Sequence, residues 1–390
     1  MTTNYLNINK YCGYTLIKQG KTELFSRNEL IDVMSPSLAE LEMSTEREIP
    51  IPPEVLDCYS KYRPTPIFRV KKFEELIGTD CEIYVKDEGT TPSNNHKANS
   101  AYLIAYLCKK DKVKTLTTET TGNWGVALAK AARYFELETI CFIDAESNRF
   151  RPDRKALMEK AGAKVIVVEQ DDNHNDLLSL SADAAIQYTR TLKDATYIFG
   201  SVYGYFVIPQ TIIGLEIKEQ LQEQGKYPDI VVGSCGGGAN FLGTAAVFIM
   251  DHLESAKQVE FFSAEATSCP ILTQGKSGLY SIDSQGYYPM IKTYGIEGLL
   301  NDGQYIGGLG STIIAPAVAH YHSKGIIKAK TFTPEEAQKA SNLFRETEGK
   351  KVALETGYQL AAVIEKAKSN SKKIIVVNIS SGRDSTYSID

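Results

Sequence analysis

An α/β fold built on largely parallel sheets is predicted for this chain by three features of its sequence. Short runs rich in Val, Ile and Thr alternate with helical stretches from about Cys81 onward; the runs are apolar on both faces; and unusual loops follow several of them. The predicted strands are CEIYVK, KTLTTE, ETICFI, AKVIVVE, TYIFG, DIVVGS, QVEFFSAE and KKIIVVNIS. Strands covered by helices on two sides need this double-faced apolar character. Between them ANSAYLIAYLCKK, NWGVALAKAARYF, HNDLLSLSADAAIQYTR and PQTIIGLEIKEQL read as helices. Leu360, Val363, Ile364 and Ala367 form an i, i+3, i+4, i+7 stripe, which gives the last predicted helix one buried face. The first ~60 residues are less regular, carry Pro36, Pro50, Pro52 and Pro53, and read as a wrapping lead-in. Ser268 to Gly310, rich in Gly, Ser and Tyr, reads as a long functional loop or lid.

The composition narrows the class. With 390 residues, 43% hydrophobic and 23% charged, the chain has enough apolar surface to offset the entropy of ordering, and its length suits about two or three domain-sized units. A formal charge of −5 argues against nucleic-acid binding by phosphate neutralisation. No apolar run reaches the length of a membrane span, and the opening MTTNYLNINKYCGYT has no signal-peptide core, so a cytoplasmic protein is expected. Seven cysteines, an odd number at irregular spacing without a CxxC pair, argue against a disulfide scaffold or a structural zinc site. No side-chain metal site is expected.

Ligands of open parallel sheets bind beyond the carboxyl ends of the strands. Three unusual loops sit at such ends: ETTGNWG (Glu119 to Gly125), CGGGAN (Cys235 to Asn240) and SGRD (Ser381 to Asp384); DEGTTPSNNHKANSA (Asp87 to Ala101) is a fourth. CGGGAN before FLGTAAVFIM is a phosphate-cradle candidate, because glycines let the backbone approach an oxyanion and a helix N-terminus offers free N–H groups. Glycine used only for a tight strand-to-helix turn is the plainer alternative. Lys97 is either a solvated lysine or an imine-forming amine whose pKa is depressed by burial. ETTGNWG can hold a carboxylate through backbone N–H groups and the hydroxyls of Thr120 and Thr121, or can cap the following helix through Thr121 or Asn123.

EMSTEREIPIP, RPTPIFR, NNHKAN, QTIIGLE, VGSCGGGAN and VVNIS occur in the order seen in the tryptophan synthase β subunit family, and the chain resembles its second, longer-headed type from about Leu38 to the C-terminus. The resemblance implies a pyridoxal-phosphate enzyme of fold type II with two interleaved three-layer α/β domains and the cofactor between them. Residues 96–203 would form the smaller N-terminal domain, and 61–95 with 204–390 the larger C-terminal one, after the 1–60 lead-in. By that resemblance Lys97 is the lysine joined covalently to the cofactor, and His96 lies near its phosphate. Gly236, Gly237, Gly238, Ala239 and Asn240 form the phosphate loop. Ser380 faces the pyridine nitrogen, with Ser381 as the adjacent rival. Glu355 lies near the ring, and Asn99 belongs to the cofactor-binding set. Glu119 is the catalytic carboxyl, Thr120, Thr121, Gly122 and Asn123 hold the substrate carboxylate, and Gly310 stands on the substrate side. A neutral serine opposite the ring nitrogen makes a weak electron sink, which favours β-elimination and replacement over racemisation or transamination. Asp384 in that place would reverse the argument.

Two departures concern the substrate side. TETTGNWG is one residue shorter than the family's loop and is similar to those of cysteine and threonine synthases; and GGLGSTIIAP has Gly310, Ser311 and Thr312 where the family has a charged residue, an aromatic and a histidine. The expected activity is therefore a carbon–oxygen lyase reaction in amino-acid biosynthesis: β-elimination and β-replacement on L-serine, L-threonine or an activated analogue, with a nucleophile other than indole. The rivals are a Ser/Thr ammonia-lyase or a threonine or cysteine synthase-like activity, and a catalytically silent ligand-binding relative. The resemblance further implies a homodimer and the monovalent cation that members commonly hold by backbone carbonyls. The changed loops argue against indole supplied by an α subunit.

Overall fold

In a computed structural model, which describes residues 2–169, 177–298 and 306–381, the strand–helix alternation closes into two parallel sheets. The smaller has four strands in the order Lys164–Val168, Glu138–Asp144, Thr115–Glu119 and Ala195–Tyr197, all parallel. The larger has six, ordered Ile327–Phe332, Glu260–Ala266, Ile230–Ser234, Ile374–Ile379, Glu82–Asp87 and Ile67–Arg69. Only the edge strand Ile67–Arg69 runs antiparallel there. The chain leaves the larger sheet after Asp87, builds the smaller one, and returns at Ile230, so one α/β unit is inserted in the other.

Alternation along each strand explains the layers. Cys141 and Ile143 pack with Val126, Ala129 and Met158, whereas Ile140 and Phe142 join the core that holds Ala182 and Ile186. Successive side chains of a strand point to opposite faces, so helices Asn123–Tyr134 and Pro152–Ala161 cover one side and Leu177–Arg190 the other. In the larger unit, Leu354–Lys368 and Pro334–Glu348 pair with each other, and Ala239–Ser255 packs on Ile230–Ser234 together with Ile212–Gln222. Capping boxes fix the entries of two helices, Ser26 with Glu29 and Thr333 with Glu336.

Several elements differ from the sequence expectation. Ser268 to Gly310 is not one long loop: Lys276–Tyr280 and Met290–Gly295 pair antiparallel, and Leu16–Ile17 of the lead-in adds a third strand. This small sheet leaves Lys276 and Ser277 exposed, so its strands lack the apolar density that marks the others. PQTIIGLEIKEQL spans two helices, because Gly204–Gln210 ends with Pro209 in its last turn before Ile212–Gln222 begins. Asn4–Leu6 pairs with Glu48–Pro50 within the lead-in. Among the described residues, no helix is long and apolar enough to cross a membrane.

A buried ionic cluster joins Arg63, just past the lead-in, to Lys86, Glu88 and Glu216. Arg63 donates to Glu216 Oε1 at 2.8 Å and Oε2 at 3.0 Å, and to both Glu88 oxygens at 3.2 Å. Lys86 Nζ donates to Glu216 Oε2 at 2.7 Å, so two cations balance two carboxylates, and all four side chains are at most 1% exposed. Arg63 holds the Glu88 carboxyl down at about 2 against the opposing effect of burial. Arg63→Met should cost about 3–5 kcal/mol by leaving a buried carboxylate unmatched. Urea unfolding followed by circular dichroism measures this; an unchanged midpoint would refute it.

Candidate active site

The carboxyl ends of strands Glu82–Asp87, Thr115–Glu119, Ala195–Tyr197, Ile230–Ser234 and Ile374–Ile379 converge on one cavity between the two units. His96, Lys97, Glu119, Thr120, Thr121, Asn123, Gly236, Gly237, Gly238, Ala239, Asn240, Gly310, Glu355, Ser380 and Ser381 all line it. Residues from both ends of the sequence thus share one space.

Lys97 stands at the N-terminus of helix Ala98–Lys110, its backbone N–H held by Asn95 Oδ1 at 3.0 Å. Its amine faces the cavity and lies 3.2 Å from His96 Nε2. Burial lowers its pKa, the Glu355 carboxylate opposes that, and the Arg154 guanidinium adds to it. A neutral amine is the form that can attack a carbonyl carbon. His96 is buried and its pKa falls to about 3, first through burial and then through Lys97.

Glu119 ends its strand and is 4% exposed. Burial pushes its carboxyl up to about 8, against hydrogen bonds from the Tyr197 hydroxyl and the Gly200 N–H that favour the ionised form. Burial thus favours its protonated form.

The CGGGAN segment has the shape of an anion cradle. A Cβ on Gly237 would lie 1.8 Å from Ser201 Oγ, and one on Gly236 would lie 2.3 Å from Gly308 O. The glycines thus hold the backbone against two neighbouring loops, and helix Ala239–Ser255 begins immediately after them, so its unpaired first N–H groups stand at the cavity wall. Asn240 Nδ2 donates to Asn378 Oδ1 at 2.8 Å. This cradle fits a phosphate, and Lys97 beside it fits an aldehyde on the same molecule. Gly237→Val should remove cofactor retention after gel filtration, because the added methyls would occupy the Ser201 contact; full retention would contradict the cradle.

Glu355, in the first turn of Leu354–Lys368, accepts from Gly308 N–H at 2.7 Å and so ties that helix to the Gly307–Leu309 turn before Gly310. Ser380 is braced by its N–H to Thr356 Oγ1 at 3.0 Å and its carbonyl to Ala353 N–H at 2.9 Å. Ser381 N–H donates to Asn94 O at 2.9 Å, which joins the last strand to the loop before Lys97. Asp384 lies outside the described residues.

Three expectations need correction. Asn99 does not face the cavity: its Oδ1 accepts from Arg63 at 2.7 Å and its Nδ2 donates to Glu88 at 2.9 Å, because its place on the helix directs it into the ionic cluster. The N-cap of helix Asn123–Tyr134 is Gly122, not Thr121 or Asn123; Thr120 Oγ1 accepts from Gly122 N–H at 2.9 Å and Gly125 N–H at 3.0 Å and so braces the turn. Gly122, at φ +128°, is not among the lining residues and packs on the stem of Arg154.

Sequence reasoning missed Arg154, Ser201, Tyr197 and Gln210. Ser201 follows the predicted strand TYIFG, so the strand-end rule applied there too would have found it. Arg154 sits within helix Pro152–Ala161 and carries no local signal.

A profile of the pyridoxal-phosphate dependent enzyme family matches residues 59–381. The chain belongs to that family, whose cofactor is pyridoxal phosphate. Within it the chain stands with the tryptophan synthase β chains. It is 35% identical to "Tryptophan synthase beta chain 2" of Aquifex aeolicus over 90% of this chain and 86% of that one. Identity is 38% to the tryptophan synthase beta chain of Fervidobacterium nodosum, over 88% and 85% of the two chains. For beta chain 2 of Thermotoga maritima it is 36%, over 91% and 88%. A crystal structure of a threonine deaminase shares the fold, with a TM-score of 0.64 at 17% identity over 85% of this chain and 97% of that one.

Proposed function

We propose that the chain is a pyridoxal-phosphate dependent lyase that removes and replaces the β-substituent of L-serine, L-threonine or an activated analogue. Bound cofactor supplies an electron sink that makes the α-proton acidic and lets a β-substituent depart. The observation that carries the reading is the placing in one cavity of the Lys97 amine and the buried Glu119 carboxyl, each in surroundings that favour its neutral form. Lys97 takes the α-proton and later returns it. A hydroxyl is a poor leaving group until protonated, and Glu119 holds the proton it needs.

The remaining walls sort by chemistry. The Cys235 to Asn240 segment, with Ser201 beside it, holds phosphate. Thr121 and Asn123 hold the substrate carboxylate with the backbone that Thr120 braces, while Glu355 with Ser380 or Ser381 faces the ring. Gly310 brings no side chain to the substrate side, which supports a nucleophile other than indole. The same bare wall supports a second reading, elimination followed by hydrolysis to a keto acid and ammonia. Incubation with L-serine and a panel of thiols, amines and indole separates the two. New amino acids are expected. Pyruvate alone would favour the second reading, and no turnover of any substrate would overturn both.

A further inference from the structure

We infer that Gln210 is a positioning residue that fixes the tautomer of His96 and thereby leaves the lone pair of the Lys97 amine free to react. The inference rests on the reading of Lys97 as the amine that joins the cofactor aldehyde.

A backbone carbonyl sets the direction of the whole hydrogen-bond chain. Phe206 O can only accept, and Ser100 Oγ donates to it at 2.6 Å. Ser100 has then spent its one proton, so toward Gln210 it must accept, and Gln210 Nε2 donates to it. With its nitrogen turned to Ser100, Gln210 presents Oε1 to His96 Nδ1 at 2.9 Å. An amide oxygen can only accept, so Nδ1 carries the ring proton and Nε2 carries a lone pair. His96, Ser100 and Gln210 are all buried, and the low pKa of His96 keeps its ring neutral, so water does not scramble this order.

Nε2 lies 3.2 Å from Lys97 Nζ. As an acceptor it takes an N–H of the amine, and the amine's own lone pair points elsewhere. In the other tautomer Nε2–H would donate to that lone pair, the one that must attack the aldehyde carbon. That reaction forms a C=N bond, releases one water and involves no redox change. The position of Gln210 is itself set at a distance. It ends helix Gly204–Gln210, whose first N–H groups, Gly204 at 3.0 Å and Tyr205 at 2.7 Å, are held by the buried Glu42 carboxylate of the lead-in.

Cofactor-free protein labelled with ¹⁵N-histidine tests the inference by long-range ¹H–¹⁵N correlation, with His96→Gln assigning the signal. Wild type should show the Nδ1–H pattern; Nε2–H in wild type would overturn the inference without any further variant. Reaction of the same protein with pyridoxal, which lacks the phosphate, reads the nucleophile directly. Gln210→Met should shift His96 toward Nε2–H and slow labelling of Lys97 about tenfold, the strength of one ordinary hydrogen bond. Unchanged tautomer and rate in Gln210→Met would refute the inference. If Gln210→Met does not fold, the wild-type tautomer still decides. Peptide mapping of the borohydride-fixed label separates the two levels: a tag on another residue defeats the reading of Lys97, whereas a tag on Lys97 with the wrong tautomer defeats only the role of Gln210.

Discussion

Lys97→Ala is expected to abolish the visible absorption of the cofactor-loaded protein and to lower turnover of any amino acid by at least about a thousandfold. Two losses combine in this variant. The covalent link to the cofactor disappears, and so does the group that moves the α-proton, a role worth about 10²–10⁴ on its own. The phosphate cradle remains, so the variant should still bind the cofactor, more weakly and without the spectral shift of the link. Borohydride fixation and peptide mass mapping of wild type should place the pyridoxyl tag on Lys97. A tag found elsewhere, or a Lys97→Ala protein that keeps its band and its turnover, would end the proposed function.

Glu119→Gln should lower turnover of L-serine about 10²–10⁴-fold while leaving the cofactor band intact. The pH profile adds a sign. Because burial raises the carboxyl to about 8, wild type holds the proton below that pH and loses it above, so turnover should fall as pH rises through about 8. Gln has no such transition, and its profile should be flat there. Tyr197→Phe removes a donor that favours the ionised form, so it should move the fall to higher pH. Persistence of the alkaline fall in Glu119→Gln would assign it to another group. A substrate with a better leaving group than hydroxyl should recover much of the loss, since it needs the proton less.

The legible part of the site is the part encoded over a few residues. Ile230–Ser234 reads as a strand because it is apolar on both faces, and CGGGAN reads as an anion loop because glycines directly precede a helix. Lys97 stood out only through its block NNHKAN, since no spacing rule separates a reactive lysine from a solvated one. Where the local pattern is weak, the sequence does not reveal the element. Lys276–Tyr280 exposes Lys276, Ser277 and Leu279, and it and Met290–Gly295 each carry a Gly and a Tyr, so neither sequence shows the apolar alternation that marks a strand.

Taken alone, the sequence determined the α/β class, most strands of the two parallel sheets, and the loops at their carboxyl ends, because periodicity and glycine placement are properties of neighbouring residues. Only the tertiary structure decided what each side chain does there. Asn99 is turned into the ionic cluster by Arg63 and Glu88; the Glu119 carboxyl is pushed up by burial against the hydrogen bond from Tyr197, 78 positions away; and His96 is given its tautomer by Gln210, 114 positions away. Desolvation and hydrogen-bond direction depend on which groups the folded chain brings within about 3 Å, and that proximity leaves no trace in local composition.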